Sequence, residues 1–319
     1  MSGFLSLQDW REFCNVTYPE GGLVMTSRWT SLFVLSIAAL SFVGCGQVTP
    51  PETAQTLALD QGSNDEFETY KNERFSTALN NIFDNASDAN TGWSVSIRAY
   101  GPKGQKLSLY TQNALRAVKP ASTMKILTSW TAFQNIPSAS EIGSSKYSYI
   151  REMMKYSDNA MAETVLGWCG GVASSYTMLT KFGISKSARL NIADGSGLSY
   201  DNRLAAQDLV QILSGIRATP KMKAFRSLLP VGGVDGTLSS RLGNINGTIA
   251  AKTGTLINDP TAALAGYGDS KTGWQIVFAM LGDSVPSVDS GRAAIDAALM
   301  EVINTLNYLP ASSSAVAAK

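Results

Sequence analysis

The 319-residue sequence contains no histidine. That single absence excludes a Ser-His-Asp triad, a Cys-His nucleophile pair and an H-E-x-x-H zinc site. If the chain performs hydrolysis, its general base must be Lys, Asp, Glu or Tyr. Cysteine is scarce as well. Three cysteines cannot build a disulfide framework or a metal site of four thiolates. Charged residues make up only 16% of the chain, and they nearly cancel to a net charge of +1. No basic surface argues for nucleic acid, and no acidic tail is present. The apolar run Ser31–Val43 has 13 residues, where a membrane-spanning helix needs about 20. Apolar residues nevertheless reach 44%, enough to bury a substantial core and too many for a disordered chain.

The 13-residue run has the length of a signal-peptide apolar segment. Arg28 precedes it and Gly44-Cys45 closes it. Phe42-Val43-Gly44-Cys45 resembles a lipobox with Phe where Leu is usual, which makes Cys45 the expected lipidation site. Residues 1–24 carry Asp9, Glu12 and Glu20 against one arginine and do not fit a basic leader. They read as an over-extended start, with the signal peptide at 25–44. Residues 45–65, rich in Thr, Pro, Gln and Ser, read as a tether. The expected location is therefore exported: the periplasmic or cell-envelope face, held to the membrane by lipid at Cys45. An ordinary cleaved signal is the alternative. Cys169 is then the one free thiol.

Residues 66–310 read as one folded domain, and 311–319 as a disordered tail. Phe67, Tyr70, Phe75, Leu79 and Phe83 fall at helical spacing over Glu66–Phe83. Strand patterns follow at Trp93–Tyr100 and Lys106–Tyr110 around a Gly-Pro turn. Helical patterns dominate from Ser122 to about Arg226. Strands return at Thr248–Leu256, Ala262–Tyr267 and Trp274–Leu281, and an amphipathic helix is expected from about Ser290 to Tyr308. This order predicts an α+β fold, in which an antiparallel sheet built from both chain ends is covered by helices, with a helical subdomain.

Three short patterns carry chemistry. Ser122-Thr-Met-Lys125 precedes Ile126, Leu127, Trp130 and Phe133 at helical spacing, so Ser122 and Lys125 share one face near a helix start. A lysine there can take the serine proton without histidine. To be neutral at pH 7 it must lose about 4 kcal/mol of preference for its proton. Burial, a neighbouring cation and the positive end of a helix all act in that direction. Ser157-Asp158-Asn159 interrupts an otherwise helical stretch. Lys252-Thr253-Gly254-Thr255 lies in a strand whose alternation sends both threonines to one face, where their hydroxyls can hold a carboxylate. Lys252 on the other face can depress the proton affinity of Lys125, and Gly254 can admit a substrate backbone. Each pattern alone also suits a bland role: a helix start with an exposed lysine, a polar turn, an ordinary strand. Lys271-Thr-Gly273 repeats the third pattern in what reads as a hairpin turn and is taken as chance.

Together, in this order, the three patterns resemble the serine penicillin-recognising superfamily. Asp194-Gly-Ser-Gly-Leu-Ser199 and Leu229-Pro-Val-Gly-Gly-Val-Asp-Gly-Thr237 narrow the resemblance. They are similar to the class C low-molecular-mass penicillin-binding proteins, the D-alanyl-D-alanine carboxypeptidase/endopeptidases of the penicillin-binding-protein 4 type. The resemblance implies a β-lactamase/transpeptidase-like fold acting on peptidoglycan stem peptides, covalent inhibition by β-lactams, and neither metal nor organic cofactor. Carried over, Ser122 is the nucleophile, Lys125 the proton acceptor and Ser157 the relay to the leaving group. Asn159 binds the substrate amide, and Lys252, Thr253 and Thr255 hold the terminal carboxylate. The N–H groups of Ser122 and Thr255 form the oxyanion hole. Asp194, Ser196 and Asp235 match family segments but read as turn residues. One departure is large. Well-studied members carry two further domains between the first two patterns, whereas here 35 residues separate Ser122 from Ser157. The chain reads as a minimal form. A serine β-lactamase and a non-catalytic penicillin-sensing or wall-binding lipoprotein remain alternatives. Glu163, the one Glu between the second and third patterns, is the residue a β-lactamase would need, and otherwise a surface side chain.

Overall fold

Strands from both chain ends meet in one sheet. In the computed structural model, β1 (Gly92–Tyr100) and β2 (Lys106–Gln112) come from the N-terminal part of the chain. β3 (Gly247–Leu256), β4 (Thr261–Ser270) and β5 (Gln275–Asp283) come from the C-terminal part. The sheet order is β2-β1-β5-β4-β3, and every neighbouring pair is antiparallel. The structure describes residues 75–134 and 145–308. The expected over-extended start at 1–24, signal at 25–44, Cys45 with its tether at 45–65, the part of the expected first helix at 66–74 and the expected tail at 311–319 all lie outside those residues.

The residues of the central strands alternate between two cores. Val95, Ile97, Ile276, Phe278, Met280 and Leu264 point to one face. That face is covered by α1 (Ser76–Asn85) and by the last helix, Val288–Tyr308, here α8. Ile295, Leu299, Val302 and Leu306 recur at helical spacing on α8 and are all buried. Each such side chain contributes about 1.5–3 kcal/mol of apolar transfer free energy. Val277, Ala279, Leu281 and Tyr267 point to the opposite face. There they meet α6 (Ala206–Arg217), whose Leu209, Val210, Leu213 and Ile216 are fully buried. Tyr267 donates from its hydroxyl to the Leu213 carbonyl at 2.9 Å, which satisfies the one polar atom it brings into this core.

The remaining helices form a block against the second face: α2 (Lys125–Phe133), α3 (Ser145–Tyr156), α4 (Asn159–Trp168), α5 (Val172–Lys181) and α7 (Met222–Arg226). The expected α+β fold with a helical subdomain is observed, with every strand end within three residues of its expected position. One stretch differs. Residues 190–205, expected within the helical block, are irregular and carry only the short bridges Asn191–Arg203 and Val118–Leu204. Their backbone is held by side chains instead. Asp194 accepts from the N–H of Gly197 and of Ser199, both at 2.6 Å, and from Asn202 Nδ2 at 2.9 Å. Apolar periodicity cannot signal a loop built in this way.

Candidate active site

A single 3₁₀ turn, Ala121–Met124, runs directly into α2 and presents Ser122. Ala121 adopts φ +46°, a conformation L-residues rarely take. The surroundings enforce it. Gly197, at φ +80°, lies so close that an added Cβ would fall 1.8 Å from the Ala121 carbonyl oxygen. On the other side, a Cβ at Gly254 would approach the Pro120 carbonyl oxygen to 2.9 Å and Ala121 Cβ to 3.1 Å. Gly254 therefore lets β3 press against the nucleophile's turn. The free edge of β3, the last strand of the sheet, is a separate side of Gly254 from the one its Cβ would occupy. Just upstream, the buried Lys119 pairs with Asp259 at 2.7 Å and with Asp283, tying the segment to the β3–β4 connection and the end of β5.

Lys125 is completely buried. Its Nζ lies 2.9 Å from Ser122 Oγ, 2.7 Å from Asn159 Oδ1 and 2.7 Å from the Ser196 carbonyl oxygen. These three acceptors match the three N–H bonds of an ammonium. When the amine is neutral, two N–H bonds still serve Asn159 and Ser196, and the lone pair points at Ser122. Burial pushes the Lys125 pKa down to about 8, against the opposing pull of the Asp194, Glu163 and Asp158 carboxylates. Burial is the dominant cause of the expected depression.

Ser157 sits in the turn between α3 and α4 at φ +63°. Asp158 caps α4 by accepting from the Met161 N–H at 2.7 Å, which aims Asn159 inward. Because Asn159 Oδ1 is engaged by Lys125, its Nδ2 is the donor left for a substrate carbonyl. Lys252, wholly buried on β3, donates to Ser157 Oγ at 2.8 Å and to the Thr253 carbonyl at 2.9 Å. Burial, and then the charge of Lys125, hold its pKa well below the ordinary lysine range. The three patterns therefore meet: Ser122 to Lys125, Lys125 to Asn159, Lys252 to Ser157. Lys271 lies in the β4–β5 turn, where its backbone N–H is held by Asn307 Oδ1.

Beside Ser122 and Ser157 lies a cavity of about 300 Å³, lined by hydroxyls and guanidinium groups. Thr253 and Thr255 contribute from β3, as alternation predicts. Thr237, Ser240, Arg241 and Arg292 also line it, and the sequence reading had assigned them no role. Thr237 lies in the Leu229–Thr237 segment and accepts from the Thr253 hydroxyl at 2.7 Å. Lys155 fixes that segment. Its buried Nζ reaches the Leu229 carbonyl at 2.5 Å and both oxygens of Asp235, at 2.8 and 2.6 Å. Asp194 and Asp235 are thus turn residues, as expected. Glu163 is not a free surface side chain. Its carboxylate accepts from the Ser196 N–H at 2.8 Å and from the Gly195 N–H at 3.2 Å, and so holds the loop whose Ser196 carbonyl receives Lys125. Among the described residues no group of His, Cys, Asp and Glu is arranged to hold a metal ion.

The placement of the two Lys-Thr-Gly copies gives a direct contrast. Lys252→Ala is expected to lower kcat/KM on a D-Ala-D-Ala peptide by about 5- to 150-fold, since it leaves the buried Ser157 Oγ and Thr253 carbonyl without their donor, a loss of about 1–3 kcal/mol. Lys271→Ala is expected to leave it near the parent value. Damage at Lys271 with a tolerant Lys252 would disprove this placement of the site.

Residues 144–302 match the D-Ala-D-Ala carboxypeptidase 3 (S13) family. Carboxypeptidase DacB of Mycolicibacterium smegmatis is 35% identical over 167 residues, covering 46% of this chain and 35% of its own. The D-alanyl-D-alanine carboxypeptidase of an Actinomadura species is 30% identical over 168 residues, covering 46% of this chain and 30% of its own. The chain thus spans about a third of the length of these curated relatives. In fold it is similar to a β-lactamase from Sphaerobacter thermophilus, with a TM-score of 0.55 at 15% identity over 73% of this chain and 98% of that one. The family match holds Ser157, Asn159 and Lys252–Thr255. Ser122 and Lys125 precede it and are brought to it by the fold. Over residues 144–302 the chain is therefore similar to the D-Ala-D-Ala carboxypeptidase 3 (S13) family, and the sheet joins that stretch to the turn that carries Ser122 and Lys125.

Proposed function

We propose that this chain is a serine D-Ala-D-Ala carboxypeptidase that trims peptidoglycan stem peptides through an acyl-enzyme and is acylated by β-lactams. One observation carries the reading. In a protein without histidine, a buried lysine with its pKa lowered to about 8 lies 2.9 Å from a serine hydroxyl on a constrained turn. Ser122 Oγ attacks the carbonyl of the penultimate D-alanine while Lys125 accepts its proton. The N–H groups of Ser122 and Thr255 receive the oxyanion, a contribution of roughly 3–4 kcal/mol per donor. Ser157, held by Lys252, passes its hydroxyl proton to the departing nitrogen and regains one from the protonated Lys125, which returns to the neutral amine as D-alanine leaves. Water then cleaves the ester, with the Lys125–Ser122 pair acting in reverse. Cross-linked peptides carry the same scissile amide, so endopeptidase action is a second activity of the same site. In this reading the chain is exported and lipid-anchored at Cys45.

The β-lactamase alternative requires a carboxylate that activates water against the acyl ester. Glu163 is the candidate, yet its oxygens are engaged by the Gly195 and Ser196 N–H groups. Glu163→Gln is therefore expected to leave the lifetime of the penicilloyl enzyme within about threefold of the parent's, while lowering the acylation rate through a loosened Ser196 carbonyl. The assay follows labelled penicillin on the protein alongside D-alanine release from a pentapeptide. A persistent label with D-alanine release supports the carboxypeptidase. A label that decays quickly in the parent and persists in the variant would identify a β-lactamase. A persistent label without turnover would identify a penicillin sensor.

A further inference from the structure

We infer that Arg292 is the residue that recognises the free carboxylate α to the scissile nitrogen, pairing its guanidinium with that group beside Thr255; this rests on the carboxypeptidase reading above. The placement begins with Gly291. It is buried so closely that an added Cβ would lie 2.6 Å from Ala262 Cβ. Ala262 is the cross-strand partner of Thr255 and shares its face. The first turn of α8 is therefore seated directly behind Thr255, and Arg292 Nη2 donates to Thr255 Oγ1 at 3.1 Å. Arg292 lines the same cavity as Ser122 and Thr253.

Charge then separates Arg292 from the other cations nearby. Arg241 is neutralised by Asp296 through two hydrogen bonds, at 3.0 and 2.7 Å. Lys252 lies on the opposite face of β3 and has its N–H bonds directed at Ser157 and Thr253. The nearest carboxylate to Arg292 is Asp289, 3.5 Å away and 92% exposed, an i,i+3 surface pair that neutralises little. The planar guanidinium fork of Arg292 suits a carboxylate. Because Thr255 Oγ1 accepts from Arg292, its own hydroxyl proton is left to donate. Together they offer a matched pair of donors on the side of the cavity away from Lys125.

The test compares an N-acylated L-Lys-D-Ala-D-Ala peptide with its C-terminal amide, for the parent, Arg292→Ala and Arg292→Lys. Arg292→Ala is expected to lower kcat/KM on the acid by about 10- to 100-fold, the range for a hydrogen bond to a charged group. Turnover of the amide should stay within about twofold, so the preference for acid over amide collapses. Arg292→Lys should recover part of that preference. Labelling with fluorescent penicillin to one equivalent per chain confirms that each variant is folded, and if Arg292→Ala does not fold, the same ratio is read from Arg292→Lys. An acid-to-amide ratio equal to the parent's in a folded variant would overturn the assignment of Arg292 alone. A parent that releases no D-alanine from the acid would overturn the carboxypeptidase reading, and this inference with it.

Discussion

Ser122→Ala is expected to abolish both covalent penicillin labelling and D-alanine release, while the melting temperature stays within a few degrees of the parent's. The chemical loss is complete because the substituted atom is the one that forms the ester. The structural loss is small. Ser122 Oγ accepts one hydrogen bond from Lys125, and Lys125 retains Asn159 and Ser196 as partners. The turn that carries Ser122 is held by other contacts: Thr123 Oγ1 on the Pro120 carbonyl at 2.6 Å, and Thr128 Oγ1 on the Gly195 carbonyl at 2.6 Å. Gel fluorescence with labelled penicillin and calorimetry of the same sample separate the two effects. Labelling of the variant at the parent's yield would mean that another hydroxyl is acylated.

Lys125→Ala is expected to slow acylation by about 10²–10⁴-fold, the contribution of a positioned general base. Its pH profile distinguishes this role from a structural one. In the parent, the acylation rate constant should rise with pH through about 8 and then level, because only the neutral amine accepts the serine proton. An ordinary lysine would place that rise above pH 10. In Lys125→Ala the rise through pH 8 should disappear from the residual rate. The same shift has a sign for stability. The folded pKa of about 8 lies below the unfolded value, so the cost of burying this lysine is complete below pH 8 and is relieved as pH rises toward 10.5. Rapid-mixing kinetics from pH 6 to 10 provide the profile. Acylation of Lys125→Ala at the parent rate would leave Lys125 no part in proton transfer.

What the sequence disclosed, and what it did not, follows from the range of the interactions. Ser122 and Lys125 are one helical turn apart, and the strand period alone places Thr253 and Thr255 on one face. Both relations are local, so pattern reading finds them. The partners of Glu163 lie 32 residues away in an irregular loop. Those of Lys155 lie 74 and 80 residues away, and that of Arg292 lies 37 away across a sheet and a helix. No local periodicity marks any of these three, and each reads from sequence as a solvated charge. The contact of Gly254 with Pro120 and Ala121 was not legible, because which face of β3 meets them depends on how the nucleophile's turn docks. The central strands were legible because a core on each face makes them near-continuous buried runs, and α8 because its buried residues recur at helical spacing. The 190–205 loop was not, because Asp194 and Asn202 side chains replace the regular ladder.

The most direct test of the site is to map the penicilloyl group on the parent protein. After brief treatment with penicillin and tryptic digestion, fragmentation of the peptide spanning Ala117–Lys125 should place the adduct on Ser122, at close to one equivalent per chain, with the peptide containing Ser157 unmodified. An adduct on Ser157, or a protein that remains unmodified at saturating penicillin, would contradict Ser122 as the nucleophile and the mechanism built on the Lys125 contact.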